Sequence, residues 1–162
     1  MGRTSAAEHE LNDMEALVAN NGINSMKYIR FLYKYALHLR ACFASKQGDI
    51  EALNRFAAEL NGPLRTKVKD WASAFDLSFL FTSLGELYLT PAINNPEYAE
   101  GCFKKSIEYN PHFPFAHHQL WLLYQREHKS EQAAVHFHEL EKIWKNADPE
   151  WKAIYMPQQA KK

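Results

Sequence analysis

Apolar residues recur every three to four positions along most of the chain, which is the spacing of amphipathic helices. Near the start, for example, Leu11, Met14, Leu17 and Val18 share one helical face. No segment shows the sustained alternation of a strand, and no hairpin dipeptide separates two β-branched runs. The pattern therefore predicts an all-α protein.

Polar residues, glycines and prolines divide this pattern into separate helices. Asp49 can cap the helix that follows it, and Pro96 and Pro114 suit the first turn of a helix. The predicted helices cover residues 25–45, 50–60, 96–109, 114–127 and 130–145, with a short last helix near 149–155.

Residues 63–89 leave two alternatives open. Val68, Trp71, Ala72 and Phe75 mark the buried stripe of one helix. Ser78 either caps a further helix, or lies inside one long helix that joins both segments.

One spacing of aromatic and small residues occurs twice in the C-terminal half. The first copy reads Phe81-x2-Leu84-Gly85-x2-Tyr88, Ala99-x3-Phe103 and Pro111. The second reads His117-x2-Leu120-Trp121-x2-Tyr124 and Ala133-x3-Phe137. Ala99 and Ala133 are 34 residues apart, which is the period of stacked helix pairs. Gly85 and Ala99 are small where a second helix must come close.

This spacing resembles the tetratricopeptide repeat (TPR) family, whose unit is a helix–turn–helix of 34 residues. The second copy departs from the pattern, because Trp121 replaces the expected small residue and His117 the expected aromatic. The resemblance implies a short TPR-like helical-hairpin solenoid with an N-terminal helical extension and a C-terminal capping helix. Its implied segments are an N-terminal helix or tail (1–24), a helical domain (25–157) with units at about 33–63 (degenerate), 78–113 and 114–147, and a polar tail (158–162).

Composition narrows the class of function. The 162 residues include 19 basic and 19 acidic side chains, and this zero formal net charge disfavours a nucleic-acid binder. The longest uncharged apolar run, Leu77 to Gly85, is 9 residues, far below the ~20 of a membrane span. With no secretory signal evident after Met1, and with Cys42 and Cys102 expected as buried thiols, we expect a cytoplasmic protein.

The TPR resemblance also implies a groove lined by the first helix of each pair. The implied partner-binding residues are Phe79, Thr82, Glu86, Leu89, Phe115, His118, Leu122, Gln125 and Arg126. Some family members clamp acidic peptide tails with Lys, Arg and Asn, which Thr82, Glu86, His118 and Leu122 cannot replace. A partner with aromatic or aliphatic anchors fits better. The alternative is that Phe79, Phe115 and Leu122 are buried by neighbouring helices.

Six of the eight histidines lie between His112 and His138, which raises a metal site or a pH-sensitive surface as hypotheses. No pair stands at i and i+4, the spacing of a helical metal pair, so only a site across helices is left. Catalytic and phosphate-binding motifs are absent, so we expect neither an enzyme nor a cofactor.

The sequence thus predicts a protein–protein interaction module, an adaptor or chaperone-like protein that binds a partner peptide or helix. One alternative is a homo-oligomerising scaffold, possible as a homodimer, joined by exposed aromatics such as Tyr28, Tyr33 and Trp151. A metal-binding or enzymatic protein using the histidines is the other.

Overall fold

A computed structural model describes residues 9–13, 16–17, 20, 27–62, 71–150, 152 and 156. These residues form helices, turns and no strand, so the all-α prediction is confirmed for this part of the chain. Residues 9–13 are helical. The longer helices are α1 (Lys27–Gln47), α2 (Ile50–Asn61), α3 (Trp71–Tyr88), α4 (Pro96–Tyr109), α5 (Pro114–Arg126) and α6 (Ser130–Ile143).

The chain divides into two compact units. The first contains Met1–Val68 and Leu87–Asn94, and the second contains Lys69–Glu86 and Asn95–Lys162. The last two residues of α3 therefore belong to the first unit. The single TPR-like domain expected over 25–157 and its solenoid arrangement stay predictions.

In the first unit, α1 and α2 form a helix pair with apolar side chains buried between them. Gly48 makes the turn between them with a φ of 76°, a left-handed conformation that glycine adopts without strain. Asp49 caps α2 as expected, because its carboxylate accepts a hydrogen bond from the backbone N–H of Ala52 at 3.0 Å. The buried apolar side chains among the described residues of these two helices are Ala36, Ala41, Ala44, Leu53, Phe56 and Leu60.

In the second unit, α3 and α4 lie antiparallel, because a later residue of α3 contacts an earlier residue of α4. Phe81 stacks on Tyr109 with ring centroids 5.7 Å apart, and Gly85 lies against Phe103. A methyl group at Gly85 would be 2.4 Å from the Phe103 ring, so the expected close approach of two helices is present.

The structure decides the alternatives for residues 63–89 within its described part. Trp71 to Tyr88 is one helix, and Ser78 lies inside it, buried, so Ser78 caps no helix. Phe75 was expected in the buried stripe but is 41% exposed. Val68 and the side chains of Trp71 and Ala72 lie outside the described residues.

The last described helix pair is α5 and α6, and its buried residues include Leu120, Leu123, Ala133 and Leu140. His128 has a φ of 57° in the turn between the helices, a left-handed conformation of the kind that ends helices.

Beyond α6, residues 149, 150 and 152 are helical, while the rest of the expected capping helix lies outside the described residues. Across the part of the chain that the structure describes, no helix has the length and apolar character needed to cross a membrane.

Candidate functional site

Three phenylalanines of the second unit expose large parts of their rings. Phe75 and Phe79 lie one turn apart on α3, 41% and 40% exposed, and Phe115 in the first turn of α5 is 45% exposed. The buried Phe113 ring lies between two of them, with its centroid 5.6 Å from Phe75 and 5.5 Å from Phe115. We call Phe75, Phe79 and Phe115 the phenylalanine surface. Phe79 and Phe115 are therefore not buried by neighbouring helices.

A hydrogen bond joins α3 and α5 further along the same helix faces. Gln119 Nε2 donates to Glu86 Oε1 at 2.7 Å. Glu86 is two turns beyond Phe79, and Gln119 is one turn beyond Phe115. The Glu86 residue is exposed as a whole, but its carboxyl group packs against α5, and this desolvation raises its pKa despite the bond from Gln119. Gln119 was not among the expected groove residues, although its spacing of four from Phe115 indicates the same face.

The remaining expected groove residues divide into three environments. Thr82 is buried, only 4% exposed, and donates a hydrogen bond to Ser106, so its side chain faces α4 and cannot contact a partner. Leu89 follows the last residue of α3 and belongs to the first unit. Leu122 is half-buried, and Gln125 and Arg126 are exposed. The partner-binding groove itself stays a prediction.

His118 is half-buried beside Trp121, the large residue at the repeat position where a small one was expected. The two rings stack with centroids 5.8 Å apart, and Trp121 also contacts Phe137 with ring centroids at 6.4 Å. Burial lowers the pKa of His118, which keeps the imidazole neutral near pH 7. This part of α5 thus carries an aromatic and uncharged surface.

The histidines between His112 and His138 occupy different environments. His117 is buried and lies against His136 of α6, whereas His138 is exposed and pairs with Glu141. In the described part of the chain, no group of three or more histidine, cysteine, aspartate or glutamate side chains is arranged to hold a metal ion. His117 and His136 lie on different helices and are 19 residues apart, so a spacing of i and i+4 within one helix does not reveal their contact.

Both thiols have a raised pKa, but only Cys102 is buried. Cys102 is buried in α4, and this burial raises its pKa to about 12, so the thiol stays protonated. Cys42 is partly buried, and its desolvation also raises its pKa, against the opposing effect of Lys46.

Comparisons with protein-family models, with curated proteins and with solved structures find no match to this chain.

Proposed function

We propose that this chain is a protein–protein interaction module, an adaptor or chaperone-like protein, that binds a peptide or helix of another protein. The observation that carries the proposal is the exposure of Phe79 and Phe115, at 40% and 45%, on adjacent parts of α3 and α5. Burying a phenylalanine side chain from water contributes about 1.5–3 kcal/mol. Aromatic side chains presented in this way are typical anchors of protein interfaces.

The neighbouring side chains favour a partner with apolar anchors. His118 is neutral near pH 7, Leu122 is half-buried and apolar, and Glu86 is the acidic group on this face. Among the described residues of this face, an acidic peptide tail would meet Glu86 and no cluster of lysines or arginines. Leucine, isoleucine, phenylalanine or methionine side chains at helical spacing fit this surface better.

Two further observations support the interpretation that the fold is TPR-like. The 34-residue spacing recurs in α3–α4 and α5–α6, and the Gln119–Glu86 hydrogen bond brings together the first helices of those two pairs. In a TPR-like arrangement such first helices line the groove, and we include that arrangement and a cytoplasmic location in the proposal.

Selection from a random peptide library on the immobilised chain tests the proposal. We expect enriched peptides to carry spaced apolar anchors and to bind the wild type, with binding lost in Phe79→Ala plus Phe115→Ala. Val135→Ala is the matched control, since Val135 is 60% exposed on α6 and is not part of the phenylalanine surface.

Circular dichroism must show that the double variant keeps its helices. Peptide binding that persists in this folded variant would eliminate the phenylalanine surface. Light scattering on the wild type separates the scaffold alternative, because concentration-dependent dimers that the double variant abolishes would indicate self-assembly instead.

A further inference from the structure

Two imidazoles meet between α5 and α6. Nδ1 of His117 lies 3.0 Å from Nδ1 of His136, and the ring centroids are 5.2 Å apart. On its other side, Nε2 of His117 lies 2.9 Å from the carbonyl oxygen of Pro111. His117 is only 4% exposed. We call His117 and His136 the imidazole pair.

The partners of the pair determine where its protons lie. The Pro111 carbonyl can only accept, so Nε2 of His117 carries a proton and donates it. In the neutral ring Nδ1 of His117 is then an acceptor, and Nδ1 of His136 donates to it. The neutral pair thus carries two ring protons, one on Nε2 of His117 and one on Nδ1 of His136. A third proton can occupy Nε2 of His136 without breaking the bond between the rings. A fourth proton would place N–H groups on both facing Nδ1 atoms, which would repel each other.

Charged groups of α4 and of α6 itself act on the pair. Glu100 and Lys104 of α4 and Glu139 of α6 all act on His136, and Lys104 opposes its protonation. Tyr124 of α5 stacks on the His136 ring at 5.7 Å, and its hydroxyl donates to Glu100 at 2.8 Å. The pair is thus held between α4, α5 and α6.

We propose that the imidazole pair is an acid-sensitive lock, which holds α6 against α5 while it is neutral and weakens this contact when the His136 ring takes up a proton and becomes charged. The hydrogen bond to Pro111 extends the lock to the turn before α5. The exposed Phe115 lies four residues after Pro111. The pair closes the hairpin whether or not Phe115 binds a partner.

The lowered pKa of His136 determines the direction in which pH changes the stability of the fold. Burial, followed by the charges of His117 and Lys104, lowers its pKa to about 4, below the 6.5 of an unshifted histidine. Because the unfolded chain takes up the proton first, the contribution to stability is complete above about pH 6.5 and declines as pH falls toward 4.

Urea unfolding at pH 7.5 and pH 5.0 tests the lock. We expect the folding equilibrium constant of the wild type to fall about tenfold more between these values than that of His136→Gln, after allowing for solvent screening of a half-exposed ring. His138→Gln is the matched control, because His138 lies two residues further along α6, is exposed and is not in the pair. It should keep the wild-type pH dependence.

Equal pH dependence in the wild type and in His136→Gln would overturn the proposal. NMR of the histidine rings in the wild-type protein is a second test, which needs no variant. A proton on Nδ1 of His136 at pH 7, and protection factors of the α6 backbone amides that fall in acid, support the lock. Titration of His136 at or above pH 6.5, or unchanged protection factors in α6, contradicts it.

Discussion

Ser78 and Ser106 each donate a side-chain hydrogen bond to the backbone carbonyl of the other residue. The distance is 3.0 Å from Ser78 Oγ to the carbonyl oxygen of Ser106, and 2.8 Å from Ser106 Oγ to the carbonyl oxygen of Ser78. Thr82 Oγ1 adds a bond to Ser106 Oγ at 2.9 Å, and all three residues are buried. These hydroxyls fix α3 against α4 at one level of the helix pair.

We predict that Ser106→Ala destabilises the fold by about 1–3 kcal/mol, because it leaves the buried Thr82 hydroxyl without this acceptor. Replacing Thr82 as well, in Ser106→Ala plus Thr82→Val, removes the polar group and should recover part of the loss. Equilibrium urea unfolding of both single variants and the double variant measures the coupling. Strictly additive losses would contradict a connected network.

The local rules of helix formation predict most of the described helix boundaries. Asp49 before α2, and Asn95–Pro96 and Pro114 at the starts of α4 and α5, are signals that act within a few residues. The repeat spacing likewise indicates the close approach at Gly85, because a missing side chain at that position has a steric reason.

Contacts between distant residues are where the sequence-based expectations were incomplete. Ser78 has the chemistry of a helix cap, but its partner is Ser106, 28 residues away, and no local pattern reveals that. His117 and His136 meet across 19 residues in the same way. Phe75 has helical spacing with apolar neighbours, yet exposure depends on which helices cover it, and periodicity alone does not determine this.

The two cysteines should differ in reactivity toward a thiol reagent at pH 8. Cys102 has a pKa of about 12 because it is buried, so almost none of it is thiolate, whereas Cys42 is partly exposed. We expect Cys42 to react first and Cys102 to react only at the rate at which the chain opens. Cys42→Ser isolates the slow thiol, and urea should accelerate it. Rapid labelling of the folded Cys42→Ser variant would show that Cys102 is accessible.

Gly85 and Gly101 offer a matched pair of substitutions in neighbouring helices. A methyl group at Gly85 would lie 2.4 Å from the buried Phe103 ring, and one at Gly101 would meet nothing within 4 Å. Gly85→Ala should therefore cost about 1–3 kcal/mol through overpacking, while Gly101→Ala should stabilise by about 0.5–1 kcal/mol through higher helix propensity.

Thermal and urea unfolding of both glycine variants measure these opposite signs. Adding Phe103→Leu to Gly85→Ala tests the cause, because a smaller side chain leaves room for the methyl group next to α4. The cost of Gly85→Ala should then shrink when it is measured in the Phe103→Leu background. A cost that is unchanged in that background would place the strain somewhere other than at the Gly85–Phe103 contact.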